Sequence, residues 1–552
     1  MFRLSYKHIL WQILLLAFLL RLAGVGYGLP LWIVGDEPPF VTATLKMMEL
    51  KTVLPVLHQG EFKPTLYFPP YLSYLYLIPF SLMLGVKYLF FTGTLVAFKN
   101  FIVSDLSHFF ILARIINVVL GTLTVWLVYK ISKNIFKKEL AALLSAAFLA
   151  FSTLHVYLSF VARDWVPAVF LFVLAIWFLS HPGWSFKKRY IAGALTSGVA
   201  CGVSVIAGFS MLFILFWYLF YEKHSIADAF KEKILYAALF IFLGLAAISV
   251  AVFPFGFHLS SGHSVGAGKS LLGFIANVGN FFKPQLYSEP ILMIFAALGL
   301  VFSYKKFRNL FQTTFLFLFS YAGIFYLVFH YEQRYTVYVF PVLALLAGYG
   351  LYRAMGTFSN KFISAGLLFL LIIPLATSLQ LNQLTLKNDS RIQAMEWAKE
   401  NLPANTKILT YAEMTRFITG KEAILEQQLL DPNSLRQIDY AEIRLEENPT
   451  GYKNFHALNL YAINNDNFYE NITDYAKNNN YEYFFVDPIY PPENPKKQRE
   501  FLPLVANNEP IKTFGSSQKK FCLRDGNFGS FFDFFKLDSF GPQIELYKLQ
   551  YE

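Results

Sequence analysis

Several stretches of this chain are apolar for long enough to cross a bilayer, and that limits what it can fold into. A segment in hydrocarbon must satisfy its own backbone hydrogen bonds, which leaves helices or a closed barrel. Runs of about 18 or more apolar residues read as helices. The first is Ile9–Gly28, and others recur as far as residue 380. Of 552 residues only 15% are charged, against about 25% in soluble domains. The chain reads as a polytopic α-helical membrane protein.

The basic residues give the spans a direction. A net charge of +11 on a soluble protein would point to nucleic acid. Here lysine and arginine gather in short loops between apolar runs, as the positive-inside rule requires, so no nucleic-acid partner is implied. Arg3 and Lys7 precede the first span, which reads as an uncleaved signal-anchor with a cytoplasmic N-terminus. The next stretch, 29–107, is then a long external loop. Within it, Tyr71 to Phe98 is long enough to cross. A single crossing would put Lys130, Lys133, Lys137 and Lys138 outside, so this segment reads as lying in the interface or re-entering.

The remaining spans fall near 110–129, 139–155, 165–180, 190–206, 209–221, 234–252, 291–304, 311–329, 335–352 and 362–380. With the first, that makes about 11 helices, and every basic cluster lands on one side. The odd count leaves residues 381–552 outside. There Asn, Lys, Glu and Asp become common. Ser390–Asn401 has helical periodicity, and Lys407–Tyr411, Tyr481–Val486 and Ile544–Leu549 read as strands. A length of about 170 residues suits one soluble α/β domain. Residues 1–380 and 381–552 are thus expected as two units. Cys201 sits inside a span, far in sequence from Cys522, so no disulfide framework is expected.

This topology collects Asp36, Glu37, Lys63, His155, Arg163, Asp164, His258, His263, Lys269, Arg334 and Tyr335 on the external face. Ionised groups at a membrane helix are costly, about 2.5–3.5 kcal/mol each at its centre, so the Asp36–Glu37 pair needs a reason. A carboxylate that takes a proton from an alcohol, beside cations that hold a phosphate, suits transfer from a phospholipid-linked donor. Structural readings stand beside the functional ones. Asp36 before Pro38–Pro39 makes a good turn or cap, and Glu37 can simply solvate the loop. Asp164, with Pro167 behind it, fits an N-cap. Arg163 and Arg334 can be interface anchors. The run Gly262 to Ser270 invites a phosphate-loop reading but has one residue too many between Gly262 and Gly268, and reads as an external loop.

The order of these motifs resembles the GT-C glycosyltransferases. The resemblance is carried by Gly35-Asp36-Glu37 after the first span, Lys63-Pro64 with Tyr67-Phe68-Pro69-Pro70, and Leu112-Ala113-Arg114 opening a span that ends Val128-Tyr129-Lys130. His155-Val156-Tyr157 through Ala162-Arg163-Asp164-Trp165 and Gln333-Arg334-Tyr335 through Pro341 complete it. The nearest patterns are the dolichyl-phosphate-mannose–protein mannosyltransferases and the aminoarabinose transferases of lipid A. The resemblance covers roughly residues 1–380 and implies a GT-C-like fold. It also implies inverting transfer of a sugar from a polyprenyl-phosphate donor to a hydroxyl of a protein, lipid or glycan on the extracytoplasmic face of the cell membrane.

Carried over, Asp36 matches the general base, with Glu37 beside it, and Asp164 the second acidic position. Arg334 matches a donor-phosphate contact, and Lys63 less securely. Tyr335 and Arg163 flank the same contact. No metal or cofactor is implied, because no Asp-x-Asp signature stands at a matching position. A lipid-linked sugar transporter shares the many spans but would be expected to show paired half-repeats with broken helices. A non-catalytic receptor accounts for residues 382–552 and leaves the carboxylates unexplained.

Overall fold

The computed structural model describes residues 5–62, 70–253, 270–328, 332–357, 360–411, 419–436, 455–487, 508–515 and 529–551, with Phe417, Asp439, Leu504 and Val505 between them. Lys63, His258, His263, Lys269 and most of the glycine-rich run lie outside the described residues.

The chain is mostly helical. In order come α1 (Tyr6–Leu22), α2 (Pro38–Glu49), α3 (Gln59–Phe62), α4 (Tyr71–Leu89), α5 (Leu95–Ser104), α6 (Ser107–Phe136), α7 (Glu139–Ala150), α8 (Thr153–Ser159), α9 (Trp165–Leu179), α10 (Phe186–Val203), α11 (Phe209–Phe216) and α12 (Ile226–Ala229). Then follow α13 (Lys233–Ala251), α14 (Leu271–Ser288), α15 (Pro290–Lys306), α16 (Arg308–Val328), α17 (Phe340–Thr357), α18 (Lys361–Phe369), α19 (Ile372–Leu386), α20 (Ser390–Asn401), α21 (Lys421–Leu430), α22 (Asp466–Glu470), α23 (Ile472–Asn478) and α24 (Phe531–Phe534).

Helix occupies every stretch expected to span, with differences that have local causes. Among the described residues, α4, α6, α13 and the run Lys361–Asn401 are each long and apolar enough to cross a membrane. The expected span 139–155 is instead α7 and α8, bent by 62° at their junction. Ser152 starts the second piece by accepting a hydrogen bond from the His155 amide, and a new N-cap ends the old helix. The span expected at 335–352 opens as a tight 3₁₀ turn, Gln333–Tyr338, before α17. The span at 362–380 divides between α18 and α19. Helix α14 was not expected from the sequence. Segment 71–98, read as interfacial, holds the 19-residue α4 and then breaks before α5.

Small residues let some helices touch by backbone. A Cβ on Gly299 would lie 1.9 Å from the Leu346 carbonyl oxygen, and one on Gly350 would lie 2.1 Å from that of Phe295. Helices α15 and α17 therefore pack at a distance only glycine permits. Gly348 meets Ser145 of α7 in the same way.

Beyond α20 lies a five-stranded sheet of order β2-β1-β3-β5-β4, formed by β1 (Lys407–Tyr411), β2 (His456–Asn459), β3 (Tyr483–Val486), β4 (Lys512–Phe514) and β5 (Ile544–Lys548). β1 runs parallel to β2 and β3, and β5 antiparallel to β3 and β4. Alternate residues face opposite sides. Ile408, Phe485 and Phe514 share a buried cluster with Ile392 and Met395 of α20, while Leu409, Phe484 and Val486 pack with Ile472 and Ala476 of α23. The first cluster is continuous with the helical bundle. A polar contact also joins the two regions. The Tyr27 hydroxyl donates to Asp389 at 2.7 Å, and Arg391 holds the same carboxylate at 2.8 and 2.9 Å.

One carboxylate ties the layer around the sheet together. Glu426 of α21 accepts from Tyr475 at 2.5 Å and Tyr481 at 2.8 Å, and pairs with His456 at 2.5 Å. Burial alone would raise its pKa, but these three partners outweigh burial and hold it down at about 2. A carboxyl with a depressed folded-state pKa contributes stability above its ordinary value and loses it as the pH falls through the folded value. In thermal unfolding of the full chain, Glu426→Gln is expected to melt below the native protein above pH 4.5, and the two curves should converge toward pH 2.

Candidate active site

The long helix α6 places Arg114 and Asn117 one turn apart on one face, and together they fix two loops. Arg114 donates through Nε and Nη2 to the two oxygens of Glu37, at 2.9 and 2.5 Å. Its remaining nitrogen, Nη1, donates to the carbonyls of Val25 and Tyr27, each at 2.8 Å. The Glu37 carboxylate also accepts the Ala162 amide at 2.6 Å. Asn117 donates to the carbonyls of Val161 at 2.6 Å and Arg163 at 3.0 Å, and its oxygen accepts from Tyr76. The turn after α1 and the loop before α9 are thus bound to one helix and to each other.

The adjacent carboxylates end in different surroundings. Asp36 has φ of 65°, a left-handed conformation that Asp adopts more readily than most residues. Across that turn Glu37 is fully buried, while the Asp36 side chain stays 38% exposed. Asp36 pairs with Arg163 at 2.5 Å. Arg163 lies 3.6 Å from Asp164 and stacks on Trp165, 4.1 Å from the ring centre. Arg334 approaches the same indole at 5.0 Å and lies over Tyr335 at 5.3 Å. It also pairs with Glu332. Burial works against the Arg334 charge, but Tyr335, Glu332 and Asp36 outweigh it and raise its pKa. Two guanidinium groups therefore approach one indole, with Asp36 and Asp164 beside Arg163.

Of the residues singled out from sequence, Asp36, Arg163, Asp164, Arg334 and Tyr335 converge here. Glu37 lies behind them, with both oxygens engaged. Asp164 occupies the N-cap position of α9, yet its side chain makes no capping bond, and its buried Oδ1 has no hydrogen-bond partner. His155 is drawn into packing: its Nδ1 meets Arg21 at 2.9 Å, and Arg21 also caps the carbonyls of Leu149 and Ala150 at the end of α7. Arg114, Asn117 and Trp165 received no role from the sequence. The signal for Arg114 was present, since a guanidinium inside an apolar helix requires a partner. Glu289 is another buried carboxylate. It holds the α7–α8 break through Ser152 and the Leu154 amide, both at 2.9 Å. Among the described residues no three His, Cys, Asp or Glu side chains gather as metal ligands would.

A membrane-type helical chain with acidic and basic side chains gathered around one indole is what sequence and geometry define together. Residues 101–252 match the model of the dolichyl-phosphate-mannose-protein mannosyltransferase family, and over that segment, a little more than a quarter of the chain, the resemblance read from the sequence is borne out. Among curated proteins none matches significantly. The chain is similar to the solved structure of ArnT from Cupriavidus metallidurans in the apo state, at 12% identity and a TM-score of 0.46, over 98% of this chain and 97% of that one. It is similar to the oligosaccharyltransferase AglB from Archaeoglobus fulgidus at 13% identity and 0.44, over 87% and 69%. For the S. cerevisiae protein O-mannosyltransferase Pmt1-Pmt2 complex the values are 20% and 0.32, over 46% and 34%. These scores are too low to establish a shared fold.

The two carboxylates should respond differently to loss of charge. Removing one partner of a buried ion pair costs about 3–5 kcal/mol, whereas Asp36 is 38% exposed and its loss leaves Arg163 with Asp164 at 3.6 Å. Glu37→Gln should therefore lower the melting temperature in detergent sharply, and Asp36→Asn should lower it by clearly less.

Proposed function

We propose that the chain is an integral-membrane, GT-C-type glycosyltransferase that moves a sugar from a polyprenyl-phosphate donor to an acceptor hydroxyl on the extracytoplasmic face. The observation that carries this reading is the position of Asp36. It is the accessible carboxylate of the cluster, held by Arg163 beside a second acid and a second buried guanidinium. The family match over residues 101–252, which include Arg114, Asn117, Arg163 and Asp164, supports it.

In this mechanism Asp36 takes the proton of the acceptor hydroxyl as the oxygen attacks the anomeric carbon. The bond from that carbon to the phosphate oxygen breaks on the opposite side, so configuration inverts. Polyprenyl phosphate leaves with the bonding electrons. Arg334 stabilises its charge in a setting with little water, with Tyr335 beside it and Lys63 as a second cation. Asp164 orients the acceptor, Arg163 holds Asp36 in place, and Glu37 positions both loops through Arg114. The membrane unit, residues 1–380 with about 11 spans, carries the chemistry, and residues 381–552 form an external α/β domain. The sugar and the acceptor, whether protein, lipid or glycan, are left open by these residues.

Asp36→Asn is expected to abolish release of polyprenyl phosphate from a panel of polyprenyl-phosphate sugars while the protein stays folded. Transfer at the native rate by that variant would reject the base. Arg334→Ala is expected to raise the KM for the donor about tenfold or more, with a smaller effect on the acceptor; an unchanged donor KM would remove the phosphate contact.

A further inference from the structure

The short aromatic helix α24 takes no part in the proposed chemistry. Its sequence, with the following residue, is Phe531-Phe532-Asp533-Phe534-Phe535. Phe534 is buried, as are Leu537 and Phe540 after it, and all three belong to the apolar cluster that runs from the helical bundle to α20 and the sheet. Phe532 is 75% exposed and Phe535 42% exposed. Two exposed aromatic rings beside buried apolar neighbours call for a covering medium.

Two contacts fix the level of this segment along α19. Gln380 donates to the Leu537 carbonyl at 3.4 Å, and Lys387 donates to that of Asp538 at 3.0 Å. Between residues 537 and 538 the chain passes from Gln380 to Lys387 on α19. Residue 380 is where the last apolar span ends. On the same helix Ile372, Leu379 and Leu386 are exposed at seven-residue spacing, a continuous apolar stripe. Phe540 meanwhile packs edge-on against Tyr27, next to the end of α1. Asp533 and Lys536 are exposed beside the aromatic rings, so apolar and charged groups alternate as they do in segments that lie at a headgroup boundary.

We propose that Phe532 and Phe535 insert into the bilayer interface and form an aromatic foot that seats the C-terminal region on the lipid surface. The inference rests on the reading of α18–α19 and α13 as membrane helices. The test uses the full chain in phosphatidylcholine vesicles, with Cys201→Ser and Cys522→Ser and one environment-sensitive fluorophore on a new cysteine. The reporters are Phe532→Cys or, as a second choice, Phe535→Cys. Phe240→Cys on α13 reports a lipid-facing position, and Asp474→Cys lies on α23, across the sheet from α20.

Doxyl-labelled lipid should cut emission at positions 532 and 240 by about twofold or more, with iodide acting mainly on position 474. Lipid quenching at 240 together with iodide quenching at 532 and 535 overturns the foot while sparing the membrane reading. Absence of lipid quenching at 240 overturns both.

Discussion

The fork between Arg114 and Glu37 is the contact on which the site depends. Both groups are buried, and the guanidinium sits within an apolar helix, where an unpaired charge is expensive. The pair meets that cost with two parallel bonds, and the remaining donors and acceptors are used on backbone. Glu37 takes the Ala162 amide, and Arg114 takes the carbonyls of Val25 and Tyr27. An ion pair satisfied in this way fixes position. It brings together two loops more than a hundred residues apart in sequence, and it does so from a helix that packing already holds rigid.

The chemistry of the exposed cluster follows from that placement. Asp36 and Glu37 are neighbours in sequence, yet the left-handed turn at Asp36 sends one to the surface and the other into the core. The buried one sets where the exposed one stands. Nearby, Arg163 and Arg334 both lie over the Trp165 ring. An aromatic face attracts a cation. Two guanidinium groups and two carboxylates thus share one small region.

The region after α19 is joined to the bundle at the same place. Tyr27 offers its carbonyl to Arg114 and its hydroxyl to Asp389, and Phe540 covers its ring. The start of α20 is thus linked to the acidic cluster by a short series of hydrogen bonds through one tyrosine. Gly541 completes the contact: its φ is 98°, and a Cβ there would lie 2.5 Å from the Asp389 carboxylate, so only glycine allows the chain to cover that group.

Sequence alone determined the helical membrane class, because hydrocarbon-length apolar runs admit few alternatives. It also located α20 and the strands near 407, 483 and 544, where periodicity is local. It pointed to Asp36, Asp164 and Arg334 because charge beside apolar runs is conspicuous. Tertiary structure alone decided which carboxylate of the Asp36–Glu37 pair is buried, since that depends on Arg114, 77 residues away. It likewise decided that Asp164 stands at a helix start without capping it, and that His155 serves Arg21. The bend at 150–153 was hidden for a related reason. Hydropathy averages over a window and reports how apolar a stretch is, whereas a break is made by single hydrogen bonds, such as those of Ser152 and Glu289, whose partners lie elsewhere in the chain.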